Sequence, residues 1–243
     1  MEKIIEKAKA AGWSCRERDG ELRISFPEKE TMTLRRAGTR LTCTTSESVL
    51  DFLKANYSLC LMQSGGISAD SSDIVGFLNE LETKFTRTAR EKLEKFRKKL
   101  EGVGETEARA ETMVRRGQEA LRALLLAERH ACEISGAARG ELLVASHIVP
   151  WAECESARLD PENVLLLAKN WDALFDAHLI SFDPETGELI KAERLSGADF
   201  RALTGREATD ATTKIRISVN TDARRAYLRA HLDSLRKKDA EEA

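Results

Sequence analysis

The chain has 243 residues, 42% hydrophobic and 33% charged, with a formal net charge of −2. The charged fraction exceeds that of an ordinary globular domain and points to long solvated helices. The near balance of signs excludes a chain that is basic throughout, so any anion-binding surface must be local. No window approaches the roughly 18 apolar residues of a membrane span, and the opening MEKIIEKAKAAGW has no signal-peptide core. The five cysteines, at 15, 43, 60, 132 and 154, are odd in number and lack a CxxC pair. This spacing argues against a disulfide scaffold or a four-cysteine zinc site, and free thiols in a reducing cytoplasm are expected.

Residues 2–11 place Ile4, Ile5 and Ala8 at helical spacing, with Ala11-Gly12 as a stop. WSCRERDGELRISF alternates about Asp19-Gly20, a two-residue turn signal, and predicts a hairpin. TMTLRRAGTRLTCTT predicts a second hairpin turning near Ala37-Gly38. Ser46 is placed to cap a helix over ESVLDFLKANYSL, with Val49, Phe52 and Leu53 on one face. Residues 1–62 thus read as a small αβ module. Arg35, Arg36 and Arg40 cluster at its second turn, as a solvated hairpin tip or a DNA-contacting loop.

QSGGISADSSD, residues 63–73, has linker composition. A long helix follows, with eight basic residues against two acidic ones between Lys84 and Lys99. That stripe suits either phosphate contact or a solvated face balanced by EGVGETEARAE just beyond it. Residues 63–111 form a linker and charged helix, broken by Gly102 and Gly104. Another helix is predicted from near Thr112, with Leu121, Leu124 and Leu125 facing a core.

The stretch from Cys132 to Asp183 carries the chemistry. A turn at Ser135-Gly136 leads to a strand over Leu142–Ile148, ended by Pro150, which cannot donate to a ladder. A polar loop, AECESARLDPEN, is expected on the surface, and VLLLA is a second strand. A short helix from Lys169 or Asn170 to Ala177 buries Leu174 and Phe175. It sets Asp172 and Asp176 four residues apart on one face. Two carboxylates so placed repel unless a cation lies between them, and a divalent ion bound to oxygen reverses that sign. Phosphodiester hydrolysis also needs a base that titrates near neutrality, which His147 supplies. Asn163 can hold the histidine strand or the imidazole through its amide. A last hairpin, ISFDPETGELIKAERL, turns at Thr186-Gly187.

These residues resemble the HNH nucleases of the ββα-metal fold, in a subfamily with four ordered motifs. The matches are Cys132-Glu133-Ile134-Ser135-Gly136, Ala145-Ser146-His147-Ile148-Val149-Pro150-Trp151, Asp160-Pro161-Glu162-Asn163 and Asp172-Ala173-Leu174-Phe175-Asp176. The likeness extends over about residues 112–235, taking in Gln118, Leu121 and the tail AYLRAHLDSL, and does not extend to the first 110 residues. It implies an α+β protein whose nuclease domain spans 112–243. In it His147 is the general base, Asn163 the middle letter of HNH, and Asp172 a metal ligand in the third place. Two positions depart from the pattern. Ser146 stands where many members carry an acidic ligand, and Val164 where glycine often follows the asparagine. Asp176, substrate phosphate and water are the expected further ligands, around Mg²⁺ or Mn²⁺ in preference to Zn²⁺ or Ni²⁺. The cysteines that hold a structural zinc in many members are absent, so Trp151, Trp171 and Phe175 are expected to hold the fold by packing.

Arg139, Lys169 and His178 are candidate phosphate contacts, while His130 and His231 are expected in packing or solvent. The resemblance implies a DNA endonuclease, with a restriction or phage-defence role by analogy. Since one such site cuts one strand, double-strand cleavage favours a homodimer. The competing reading is an inactive HNH fold that only binds nucleic acid. A third class is an oligomeric scaffold built on the charged helices.

Overall fold

The computed structural model describes residues 1–57, 60–61, 66–100, 107–150, 152–154, 156–206 and 215–242. Gly102, Gly104 and Trp151 therefore lie outside the described residues, as does part of the stretch at 62–65. The molecule is mixed helix and strand, of the α+β class. Its residues divide into two units, Met1–Lys92 and Leu93–Ala243.

The first unit opens with α1 (Glu2–Ala10), then two hairpins formed by β1 (Ser14–Arg18), β2 (Glu21–Ser25), β3 (Thr31–Ala37) and β4 (Arg40–Thr45). After α2 (Glu47–Asn56) come β5 (Cys60–Leu61), β6 (Ile67–Ala69) and α3 (Ser71–Leu100), whose first part lies in this unit. The six strands form an antiparallel sheet in the order β1-β2-β3-β4-β6-β5. Asp19 and Gly20 both have positive φ, as a two-residue turn matching strand twist requires. The alternation of β2, β3 and β4 puts Leu22, Ile24, Met32, Leu34, Leu41 and Cys43 on one face. There they meet Ile4, Val49, Leu53, Phe77 and Leu81 from the helices in one core. Each side chain of that size contributes about 1.5–3 kcal/mol when fully buried.

Two local readings change here. SADSSD is not linker: Ile67–Ala69 pairs with β4, and Asp70 and Asp73 cap α3 reciprocally. The Asp70 carboxylate accepts the Asp73 N–H at 2.9 Å, and the Asp73 carboxylate accepts the Asp70 N–H at 3.1 Å. Serine and aspartate are cap formers as well as linker residues, and composition alone does not separate the two uses. Ser46 precedes α2 but makes no side-chain cap; its hydroxyl instead accepts the Thr31 N–H at 3.3 Å. The arginine cluster and basic stripe are partly engaged within the unit. Arg35 pairs with Glu21, Lys92 with Glu28, and Lys84 donates to the Ser48 carbonyl at 3.3 Å.

The second unit continues with α4 (Glu107–Arg129), which starts earlier than its sequence pattern suggests. A hairpin of β7 (Leu143–His147) and β8 (Val164–Ala168) is followed directly by α5 (Lys169–Asp176). β9 (Ile180–Phe182) and β10 (Leu189–Lys191) form a second hairpin, and α6 (Gly197–Thr204) and α7 (Asp222–Glu242) complete the order. β8 is buried at every position, as its unbroken VLLLA implies. Leu121, Leu124 and Leu125 of α4 are buried, as are Trp171, Leu174 and Phe175 of α5. The loop between β7 and β8 is not wholly on the surface, because Ala157 and Leu159 are buried beneath it.

Candidate active site

Register decides which residues can meet. β7 and β8 are antiparallel, with Leu143 opposite Ala168 and His147 opposite Val164. α5 leaves the end of β8 and runs back alongside β7. Lys169 directly follows Ala168, the partner of Leu143, while the charge of Asp176 acts on His147 and Asp172 neighbours Ser146. Helical rise alone separates Lys169 from Asp176 by about 10 Å.

His147 is held by its own loop, with its Nε2 2.9 Å from the Arg158 carbonyl oxygen. A carbonyl only accepts, so Nε2 carries the proton and Nδ1 carries the lone pair. Burial lowers the His147 pKa, while the bond to Arg158 and the charge of Asp176 act in the opposite direction. The balance favours the neutral imidazole, the form that can take a proton.

Asn163 occupies the residue before β8 and is almost fully buried. Its amide closes on the segment just past His147: Oδ1 accepts the Val149 N–H at 2.8 Å, and Nδ2 donates to the Val149 carbonyl at 3.1 Å. Nδ2 also donates to the Ala157 carbonyl at 3.1 Å. Asn163 thus fastens the strand end and loop that carry the histidine, rather than the imidazole itself.

Burial raises the Asp172 pKa, the neighbouring Ser146 hydroxyl lowers it, and the charge of Asp176 raises it again. Ser146 is buried, and its Oγ makes no hydrogen bond of standard geometry although it influences the Asp172 carboxyl. His147, Ser146, Asp172 and Asp176 therefore form one electrostatic cluster. Among the described residues no three His, Cys, Asp or Glu side chains converge as a ready metal cage. The donors present are two carboxylates and a hydroxyl, all oxygen. This set suits Mg²⁺, which is commonly held by one or two carboxylates with waters and substrate phosphate completing its sphere.

His147 also borders a hollow lined by Arg115, Gln118, Glu119, Arg122 and Val144. Arg122 is occupied in tying α4 to the hairpin, donating to the Leu143 carbonyl at 3.0 Å and to the Gly140 carbonyl. Arg139 is exposed with its guanidinium 4.0 Å from Glu141, and Lys169 is exposed on the first turn of α5. His178 is half-buried in a stack. Its ring lies 4.4 Å from that of His231, which lies 3.9 Å from Phe175, and Lys238 donates to its Nδ1 at 3.1 Å.

Residues 132–183 match the family model for HNH endonucleases. This segment is similar to HNH endonuclease domains. No curated protein matches the chain. The matched HNH segment begins at Cys132, whose Sγ accepts the Ser135 N–H at 3.4 Å and whose carbonyl accepts the Gly136 N–H at 2.9 Å. Here the cysteine closes a tight turn by hydrogen bonds.

Sequence reasoning missed the group that braces the backbone on either side of Asn163. Arg224 of α7 is buried and donates to Glu133 Oε2 at 2.9 Å and to the Val164 carbonyl at 3.1 Å. Arg129 donates to Glu133 Oε1 at 2.7 Å and to the Pro161 carbonyl at 2.7 Å, and Glu133 also accepts the Leu166 N–H at 2.8 Å. Two arginines from the ends of α4 and α7 thereby clamp residues 161–166. Glu133 lies inside a recognised motif, but nothing in the sequence pairs it with an arginine 91 positions away.

Proposed function

We propose that the chain is a metal-dependent endonuclease that hydrolyses DNA phosphodiester bonds. The observation that carries this reading is the His147 environment. Nε2 donates to the Arg158 carbonyl and burial favours the neutral ring, so in that tautomer Nδ1 is the nitrogen able to accept a proton. Nδ1 of His147 takes the proton of the attacking water, and Asn163 fixes the backbone that aims the ring. The Asp172 and Asp176 carboxylates would hold a divalent cation, Mg²⁺ or Mn²⁺ by their oxygen chemistry. Such an ion would supply charge stabilisation at the phosphate and leaving oxygen. Ser146, in a place where an acid would add a third carboxylate, keeps the protein's own donor set small and leaves room for substrate oxygens.

Arg139 and Lys169, both exposed, are the proposed phosphate contacts, with His178 a more buried third. One site of this kind cuts one strand, so cleavage of both strands calls for a homodimer. A restriction or phage-defence role, acting in the cytoplasm, fits a DNA-cutting domain joined to a separate N-terminal module (residues 1–62 with a helical connector to 111). Among the described residues no helix is long and apolar enough to cross a membrane.

The test is nicking of supercoiled plasmid with Mg²⁺ or Mn²⁺ against EDTA, for wild type and Asp172→Asn. Metal-dependent nicking that Asp172→Asn loses supports the proposal. Absence of nicking by the wild type with either ion, on modified and unmodified DNA, sinks it in favour of an inactive HNH fold.

A further inference from the structure

The sheet of the first unit has two faces of opposite character. One is the apolar core face. Strand register assigns the other: Arg16 opposite Arg23, continuing to Thr33 and Thr44, and Arg18 opposite Glu21, continuing to Arg35, Thr42 and Ser68. Arg40 follows one step further along β4. Arg16, Arg18, Arg23, Arg35 and Arg40 are all exposed. The strands place one acid among them, Glu21, which pairs with Arg35. Near the edges Arg18 meets Asp19 at 3.3 Å, and Arg40 bonds Ser68 and feels the charge of Asp70.

Arg16 and Arg23 are different. They stand directly opposite each other on adjacent antiparallel strands, and neither forms an ion pair with a described residue. Like charges in that arrangement destabilise a sheet, so the pair gives folding nothing and gains from a bound anion. Apart from Ala37 opposite Arg40, the other described strand residues of the face between β1 and β4 are serine and threonine, which donate to phosphate oxygens. Aromatic rings, the platforms on which single-stranded bases stack, do not occur at the outward strand positions described. Across β1 to β4 the arginines span about 14 Å at ordinary strand spacing.

We infer that this open arginine face of the N-terminal sheet, centred on the Arg16–Arg23 pair, binds the phosphate backbone of duplex DNA. The face reads charge and carries few groups suited to base edges, so it holds DNA without selecting sequence. The inference rests on the nuclease reading for its choice of partner and gives the first unit the task of retaining the duplex.

The experiment is fluorescence anisotropy of a labelled duplex with the full chain in EDTA, where binding is seen apart from cleavage. Arg16→Ala/Arg23→Ala is expected to weaken binding by about tenfold or more and to flatten the dependence of log K on log salt by about 2. Arg16→Glu creates an opposite-charge pair with Arg23. It should fold at least as stably as wild type in thermal melts and bind still more weakly than the alanine pair. Unchanged affinity and salt slope in both variants would overturn the inference, as would equal competition by polyglutamate and unlabelled duplex. A wild type that binds through this face but nicks nothing would count against the nuclease reading alone.

Discussion

The Asn163 amide and the Val149 peptide meet at two points, N–H to Oδ1 at 2.8 Å and Nδ2 to carbonyl at 3.1 Å. A side chain thus does what a neighbouring strand would do, just where the β7–β8 ladder has ended. His147 lies two residues before Val149, so its orientation depends on this clasp.

Asn163→Ala removes three hydrogen bonds at a buried position and leaves the Val149 and Ala157 groups without those partners. Each unsatisfied buried group costs about 1–3 kcal/mol. The denaturation midpoint should fall, and nicking should fall further than the lost folded fraction explains. Asn163→Asp keeps the acceptor but loses both Nδ2 bonds, so it should not restore activity.

The arginine clamp behind β8 gives a larger effect. Arg224→Met leaves Glu133 short of one partner and the Val164 carbonyl short of one donor. Breaking a buried pair from one side costs about 3–5 kcal/mol. Urea titration should show that loss, and a midpoint within error of wild type would show the clamp to be dispensable.

His231 predicts the acid limb of stability. Burial, with the neighbouring charges of His178 and Lys238, pushes its pKa down to about 3. Its Nδ1 lies 2.9 Å from the Ser181 hydroxyl and its Nε2 3.1 Å from the Phe175 carbonyl, an arrangement that the neutral ring satisfies. Between the unfolded value of 6.5 and about 3, the unfolded chain binds a proton that the folded chain refuses. Stability therefore rises with pH across that window, by about 1.4 kcal/mol per unit from this residue. Melting temperatures should fall as pH drops below 6.5, and less steeply in His231→Gln.

Gly187 has φ +70°, and a Cβ there would lie 2.2 Å from the Ile217 carbonyl oxygen. The backbone must shift to admit it, and αL geometry alone disfavours a non-glycine residue by about 1 kcal/mol or more. Gly187→Ala should lower the melting temperature. An unchanged melt would show that the β9–β10 turn yields freely.

Much of this was legible in the chain because local chemistry and tertiary fold agree. Asp19-Gly20, the alternation of ELRIS, the apolar VLLLA and the i,i+4 carboxylates each specify their own geometry. The spacing and motif order that single out His147, Asn163 and Asp172 lie within the segment that matches the HNH endonuclease family model. What stayed hidden depends on distant pairing. Arg224 to Glu133 and the His178–His231–Phe175 stack join residues tens of positions apart, with no local period to announce them. Ser46 and SADSSD misled because small polar residues serve caps, strands and linkers alike.

The central claim, that His147 is the base of a DNA-cutting site, is tested most directly by plasmid nicking with Mn²⁺ across pH, for wild type and His147→Ala. Because burial holds the His147 pKa below 6.5, wild-type nicking should persist below that pH before it declines, and His147→Ala should leave the plasmid supercoiled throughout. Equal nicking by the two proteins would contradict the account.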